Sequence, residues 1–417
     1  MSRALTVFWD DLVVGTLRID EHGDMRFAYT QDWVHDAACR AISYSLPKQI
    51  EEFGRRQTRP FFAGLLPEER PRDAVARLVG VSERNDYALL EALGGDVAGA
   101  LSLWEPGQVP PPPQLEKARI LSDDELIATL DELPRRPMLV GEDGIRMSLA
   151  GAQVKLPVVV IDGAIALPGP GQPTTHILKP PIEKFPHTTA NEAFALRLAA
   201  LVGLQAANVE PRRIRDREFL LVERYDRLTA DGVVRRLHQE DFCQALGKSP
   251  EHKYAKEGGP NFPDSFKLVR EATAKPALDV LRLLNAAIFN LAIGNADAHG
   301  KNFSLLYRPS GLTLAPLYDL MSTAIYPDVA TNLAMQFAKT SNIAELTEAR
   351  WDKFAASCAL GPSYVRNQVK RMCALIGKHA PTAAERLGTE GFQSETLDEI
   401  VVLVTDRSVR IADAARQ

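Results

Sequence analysis

Four consecutive prolines, Pro110–Pro113, constrain this chain more than any other stretch. A proline run stays extended and stiff and cannot continue a helix or a central strand. It therefore sets an N-terminal unit apart from everything beyond it. In that unit, ALTVFW (4–9) and LVVGTLRI (12–19) are rich in β-branched and aromatic residues and flank Asp10-Asp11, which reads as a hairpin. Glu21–Asp24 marks a second turn, before the strand MRFAY. The apolar segment Pro60–Pro67 precedes two helices, expected near 68–79 and 86–93. Gly94–Gly99 then leads into a strand, Ala100–Trp104.

Beyond the prolines the pattern changes twice. Ser122 opens a short helix with Glu125 three residues on, the spacing of a capping box. Strands are expected at Ile145–Ser148, Val154–Ile161, Thr174–Lys179, Arg217–Glu223 and Val233–Leu237, with a helix over Asn191–Val202. From a helix starting near Gln239 onward the chain reads as mainly helical. Leu281, Leu284, Ile288 and Leu291 form one apolar stripe that stops at Gly294, a candidate left-handed cap. Phe303–Tyr307 and Leu312–Leu314 flank Pro309-Ser310-Gly311 as a hairpin, and the last ~70 residues read as helices. The expected division is 1–105 as an α+β subdomain, 106–116 as a linker, 117–236 as a β-rich lobe and 237–417 as a helical lobe. The expected fold class is α+β, two-lobed, with ligands bound between the lobes.

Composition narrows the function classes. Of 417 residues, 45% are hydrophobic and 25% charged, as in an ordinary globular protein. The net charge of -5 gives no global pull toward nucleic acid or an anionic membrane. Cys39, Cys243, Cys358 and Cys373 are scattered and form no CxxC pair, which argues against a zinc site or a disulfide framework and for a reducing cytoplasm. The N-terminus reads as a strand, not a signal peptide, and no run approaches the ~18 consecutive apolar residues of a membrane span. Arg366, Lys370, Arg371 and Lys378 fall on one C-terminal helix, either a solvated face or a basic patch compatible with an indirect role at DNA.

The chemistry concentrates in GNADAHGKNF (294–303), between the apolar helix and a strand. Asp297 and Asn302 stand five residues apart, and Asp319 follows across the hairpin. A phosphotransferase places a catalytic carboxylate, a metal-binding amide and a metal-binding carboxylate in that order. Asp297 can orient a hydroxyl or take its proton, while Asn302 can offer its amide oxygen to Mg²⁺. Alternatively, these are only turn residues after a helix. Asp319 lies in the apolar Leu317–Leu320, where an unpaired carboxylate is costly and a metal would satisfy it. His299 can hold the loop by hydrogen bonds or ligate a metal, and Lys301 can neutralise a transferred phosphate or be solvated. Lys179, ending a strand, can reach nucleotide phosphates and pair with Glu192, or be a surface lysine. The loop from Ser148 to Lys155 offers the backbone and side chains of Ala150, Gly151, Ala152, Gln153 and Lys155 to phosphates, and Ser148 can itself be phosphorylated; otherwise it is a tight turn. Glu223 and Tyr225 can face adenine or belong to a plain linker.

Two resemblances fail. Gly247-Lys248-Ser249 has Phe242 where a Walker A loop needs glycine, and it follows a helix. Gly94-Gly95 with Gly99 lacks the GxGxxG spacing. Three functions compete: an ATP-dependent protein kinase, a degenerate kinase acting as a co-repressor, and a metal-dependent hydrolase using Asp297, His299 and Asp319. The kinase reading alone employs Lys179 and the 148–155 loop. Ala-Asp in place of Arg-Asp, and Asp-Leu-Met in place of Asp-Phe-Gly, argue against an ordinary eukaryotic-type kinase.

The set RPFFAGLLPE (59–68), GGDVAGALSL (94–103), SLAGAQVKL (148–156), THILKP (175–180), VERYDR (222–227), HQEDFCQALG (238–247), GNADAHGKNFSLL (294–306) and PLYDLMS (316–322) resembles the HipA family of bacterial toxin kinases over most of the chain. The resemblance implies a protein-kinase-like fold and a serine/threonine kinase of a type II toxin–antitoxin system that uses ATP and Mg²⁺. Asp297 would be the catalytic aspartate, Asn302 and Asp319 the Mg²⁺ ligands, Lys179 a phosphate contact, and Glu223 and Tyr225 the adenine site. Ser148 would be an autophosphorylation site whose modification ejects the phosphate loop. The implied partners are a small helix-turn-helix antitoxin resembling HipB, operator DNA reached mainly through it, and a protein substrate such as an aminoacyl-tRNA synthetase. No membrane partner is implied.

Overall fold

The computed structural model describes residues 3–140, 146–230, 233–340 and 342–416. The chain forms two compact units. One is built from Met1–Pro180, Arg213–Glu251 and Leu306–Arg308, the other from Pro181–Arg212, His252–Leu305 and Pro309–Gln417. The fold class is α+β, the two-lobed kinase-like class expected.

The first unit opens with the expected hairpin. Ala4–Trp9 pairs antiparallel with Leu12–Ile19, Leu5 opposite Leu17. Met25–Tyr29 and Leu101–Trp104 complete a four-stranded sheet. Alternation along the first strand sends Leu5 and Val7 inward, each 0% exposed. They pack with Phe27, Phe61 and Phe62 into one apolar core. Helices Glu69–Leu78 and Asp86–Leu93 match their expected positions closely. The Ser122 capping box forms, with both reciprocal bonds to Glu125 present. In a second sheet, Arg119–Ile120, Ala164–Leu167, Leu156–Ile161, His176–Lys179 and Arg217–Glu223 lie side by side in that order. Leu156, Val158, Leu178, Phe219 and Leu221 fill its core.

The second unit is helical. Pro276–Ile293 packs against Phe262–Ala272, Pro362–Thr389 and Glu395–Ala414. Its C-cap, Gly294, has φ 74°, the left-handed conformation expected there. Phe262, Phe337, Trp351 and Phe354 form an aromatic cluster with ring centroids 4.7–5.9 Å apart. By length and mean hydropathy, 1.4, Pro276–Ile293 alone among the described helices is apolar enough to cross a membrane. Asp279 and Arg282 interrupt it, and 61% of it is buried, so its apolar face is that of a core helix. All four cysteines are free.

Three elements differ from expectation. Of the strand expected at Ile145–Ser148, Ile145 lies outside the described residues, and the rest gives only one bridge, Met147 to Asp96. The helix expected from Gln239 is instead a strand, Gln239–Asp241, and then a single turn, Phe242–Ala245. Asp241 caps that turn by accepting from the Gln244 amide at 2.8 Å, which requires extended backbone up to the cap. The helix expected at Asn191 starts earlier, at Thr188.

Candidate active site

In the second unit, the sequence folds Gly294–Asn302 into a tightly tied loop. After the left-handed Gly294 the chain turns away from the helix. Asn295 reaches back to donate to Asn290 Oδ1 at 2.8 Å and accepts from the Asp297 amide at 3.1 Å. The Ala296 amide donates to Thr323 Oγ1 at 2.8 Å. The Asn302 side-chain amide donates to the Asp297 carbonyl at 3.0 Å. That bond fixes which way Asn302 faces and leaves its Oδ1 as an acceptor. Lys301, expected either at phosphate or in solvent, is buried, as are His299 and Asn302. From Gly294 to Asn302, Asp297 is the one exposed residue.

Asp297 has an aromatic partner. Tyr254 donates its hydroxyl to Asp297 Oδ1 at 2.8 Å, and its ring stands edge-on to His299 at 5.3 Å. The Gly300 amide donates to the Lys253 carbonyl at 3.2 Å, so the Lys253-Tyr254 segment grips the loop at two points.

Asp319 lies between two sets of ties to this loop. On one side, Tyr318 donates to the Lys301 carbonyl and shares a bond with Ser304 Oγ, both at 2.6 Å. On the other, the Ala324 amide and Thr323 Oγ1 each donate to the Gly294 carbonyl at 3.0 Å. Asn191 clasps Ser322 through its side-chain amide, at 2.8 and 3.0 Å. Asp319 itself has φ 57°, a left-handed backbone that a non-glycine residue keeps only where its surroundings enforce it. Among the described residues no three His, Cys, Asp or Glu side chains gather as a metal-ligand set. That counts against the hydrolase reading, which requires Asp297, His299 and Asp319 together. Mg²⁺ in a kinase takes one or two protein ligands and completes its shell with phosphate and water, and by donor type Asn302 Oδ1 and the Asp319 carboxylate suit that demand.

In the first unit, the loop from Ser148 to Lys155 is not a tight hairpin turn. It is docked on the Leu65–Glu68 segment. Ser148 is fully buried and donates its Oγ to the Leu65 carbonyl at 2.7 Å. The Glu68 amide donates to the Gly151 carbonyl at 3.1 Å. Gly151 has φ 113°, and an added Cβ would lie 2.7 Å from Lys155 Nζ. Lys155 itself turns back to the Ala150 carbonyl at 2.6 Å, and Gln153 donates to the Pro180 carbonyl at 3.2 Å. Ala150 and Ala152 complete this small-residue turn. Lys179 ends its strand opposite Leu220, buried. Its expected partner, Glu192, is buried in helix Thr188–Leu201 of the other unit. Glu223 is exposed at its strand end, opposite His176. Tyr225 shares a hydrogen bond with Gln239.

Sequence reasoning missed the charged residues beside these last two. Arg224, Asp226 and Arg227 turn inward and join Asp96, Thr174 and Arg236 in a buried charge network. Burial alone would raise the Asp96 carboxyl, but Arg227, Arg224 and Arg236 outweigh it and hold it below the usual range. Asp226 behaves alike, burial being outweighed by Arg224 and Arg227. The signal was present as alternating charges directly after an apolar strand, a pattern that also suits a solvated turn. A second missed cluster centres on Glu240, which accepts from Ser43 Oγ at 2.5 Å, the Tyr44 amide at 2.9 Å and Tyr307 at 2.7 Å. Burial pushes its carboxyl up to about 7. Burial likewise pushes His238, whose ring lies 4.8 Å from that of Tyr307, down to about 4.

The fold and the loop carrying Asp297 define a kinase-like protein. Comparison with known proteins places it more narrowly. Residues 147–380 match the HipA-like C-terminal domain and residues 5–104 the HipA N-terminal domain. The chain is 54% identical over 375 residues, 89% of each chain, to "Putative kinase Y4mE" of Sinorhizobium fredii. It is 36% identical over 340 residues to the serine/threonine-protein kinase toxin HipA of Shewanella oneidensis, covering 78% of this chain and 76% of that one. A solved complex of Shewanella oneidensis HipA with HipB and its operator DNA superposes with a TM-score of 0.83 at 28% identity, covering 99% of this chain and 96% of that one. The chain belongs to the HipA family of serine/threonine-protein kinases.

Proposed function

We propose that this chain is the kinase toxin of a type II toxin–antitoxin system, transferring phosphate from ATP to a serine or threonine of a translation component such as an aminoacyl-tRNA synthetase. The observation that carries the proposal is Asp297. It is the exposed carboxylate of a loop that is otherwise buried and fixed by hydrogen bonds. In that setting it can accept the proton of an incoming hydroxyl as the oxygen attacks phosphorus. Asn302 and Asp319 would hold Mg²⁺, which when bound supplies charge neutralisation at the phosphates. Lys301, together with Lys179, Lys155 and the backbone of Ala150–Gln153, would hold the transferred and remaining phosphates. Glu192 would orient Lys179; Glu223, Tyr225 and His299 would line the nucleotide.

Self-silencing by phosphorylation of Ser148 belongs to the same proposal. With its hydroxyl buried against Leu65, Ser148 becomes an acceptor only when its loop leaves that seat. The proposed partner is a small helix-turn-helix antitoxin like HipB, through which the pair reaches operator DNA. The HipA–HipB–operator complex of the Shewanella relative supports that assignment. Incubation with labelled ATP and Mg²⁺ should label the protein at Ser148, and Asp297→Ala should not be labelled. Phosphoproteomics after induction of wild type and Asp297→Ala should show one protein phosphorylated only by the wild type. Equal labelling of the two would overturn the assignment of Asp297.

A further inference from the structure

We infer that Asp96 is a positioning residue for the Ser148 loop, clamped through its side chain by arginines so that its main chain brackets the loop in the inward seat. The structural part stands alone; its consequence for self-phosphorylation rests on the kinase reading above.

The side-chain half of the clamp is wholly internal to the first unit. Asp96 Oδ1 accepts from Arg227 Nη2 at 2.9 Å and Arg236 Nε at 3.4 Å. Its Oδ2 accepts from Thr174 Oγ1 at 2.8 Å, with Arg224 Nη1 at 3.5 Å. Asp226 holds the arginines from the other side: Arg224 reaches it at 3.0 and 2.9 Å, Arg227 at 3.0 Å. Asp96, Arg224 and Asp226 are 6%, 3% and 2% exposed. A carboxylate buried among three guanidinium groups has no other low-energy place to go, so the backbone at position 96 is pinned with it.

The main-chain half grips the loop. The Asp96 amide donates to the Arg146 carbonyl at 2.8 Å, and the Ser148 amide donates to the Asp96 carbonyl at 2.9 Å. These two bonds bracket Met147 and set where Ser148 begins its turn toward Leu65. The approach is so close that only glycine fits beside it. A Cβ on Gly95 would lie 2.6 Å from the Arg146 carbonyl oxygen and 2.8 Å from Arg146 Cβ. Gly95 thus gives the clearance, and Asp96 next to it gives both the bracket and the anchor. Loosening the anchor lowers the barrier to loop departure, exposes Ser148 more often and hastens its modification.

Hydrogen exchange of the full chain tests this, read on the peptide spanning 146–156 against the hairpin spanning 4–19 as an internal control. All variants carry Asp297→Ala so that phosphorylation does not intervene. Asp96→Asn, which keeps the shape and removes the charge, should exchange at least tenfold faster over 146–156 with the hairpin unchanged. Gly95→Ala, which keeps the charge and displaces the bracket, should do the same, and Arg236→Gln should give a smaller increase. Unchanged loop exchange in a variant with a wild-type hairpin would overturn the inference. Should Asp96→Asn also raise exchange in the hairpin, Gly95→Ala and Arg236→Gln decide by the same criterion. With Asp297 restored, Asp96→Asn should label Ser148 from ATP several-fold faster than wild type. Faster exchange with no Ser148 label in any variant would keep the bracket and sink self-silencing instead.

Discussion

The loop Gly294–Asn302 and the loop Ser148–Lys155 are held by opposite means. The first is tied mainly by uncharged hydrogen bonds from near neighbours: Asn290, Asn295, Asn302 and, a hairpin away, Thr323. The second depends on partners far along the chain, at Leu65, Glu68 and Asp96, and Asp96 is held in turn by charges at 224, 227 and 236. Neutral bonds within one stretch give a loop with a single conformation. A loop resting on a few main-chain bonds, with its anchor in a charge network, can be released by one change. A catalytic carboxylate needs the first kind of support, and a segment that must move suits the second.

The largest effect should come from the fixed loop. Asp297→Ala should lower phosphotransfer by about a thousandfold, the scale of a lost proton acceptor in a positioned site, with the circular dichroism spectrum and melting midpoint retained. A loss under tenfold would show that the fixed loop is not the seat of catalysis. In the charge-held region the large effect should fall on stability. Asp226→Ala leaves Arg224 and Arg227 facing each other with only Asp96 between them, and should cost about 3–5 kcal/mol by urea denaturation. A cost within error would mean that the network is solvated and its anchoring role wrong.

This difference in support also explains what the sequence disclosed. The candidate catalytic loop was legible because its parts are contiguous: an apolar helix, a glycine stop, Asp297 and Asn302. The hairpin at Ala4–Ile19 and the Ser122 capping box were legible for the same reason, their periodicity and turn residues being local. Tyr254 was not, because forty-three residues separate it from Asp297 and tyrosine has no motif of its own. Arg224, Asp226 and Arg227 were given no role, since burial of charge depends on partners at 96 and 236 that only folding brings near. Ser148 was singled out at the edge of the 148–155 loop, while its burial against Leu65 was invisible.

Acid–base behaviour should probe the first unit, which holds both Glu240 and His238. Glu240, pushed up from 4.5 to about 7, binds its proton more tightly folded than unfolded. Its contribution to stability is full below pH 4.5 and is lost as the pH rises toward 7. His238, pushed down from 6.5 to about 4, prefers to be neutral when folded. Its contribution is full above pH 6.5 and is lost as the pH falls toward 4. Between pH 4.5 and 6.5 the two slopes oppose, each about 1.4 kcal/mol per pH unit, and nearly cancel. Glu240→Gln should therefore make stability rise with pH across this window, by up to about 3 kcal/mol, and His238→Asn should make it fall. Urea titrations at several pH values would show it; parallel pH profiles for wild type and both variants would remove these groups from the account.

The smallest effect tests how finely the fixed loop is set. Tyr254→Phe removes one hydroxyl and keeps the ring beside His299, so packing is preserved while Asp297 Oδ1 loses its 2.8 Å donor. The exposed carboxylate then gains rotational freedom, and the fraction of time it faces an incoming hydroxyl falls. A lost hydrogen bond of this kind is worth about 1 kcal/mol, so kcat should fall about fivefold. The KM for ATP should not move, because the hydroxyl lies on the acceptor carboxylate, and the melting midpoint should stay within a degree or two. A rise in KM with kcat intact would place Tyr254 at the nucleotide instead. An unchanged kcat would show that the neutral bonds through Asn295 and Asn302 hold Asp297 unaided, and the contrast with the anchored Ser148 loop would be sharper still.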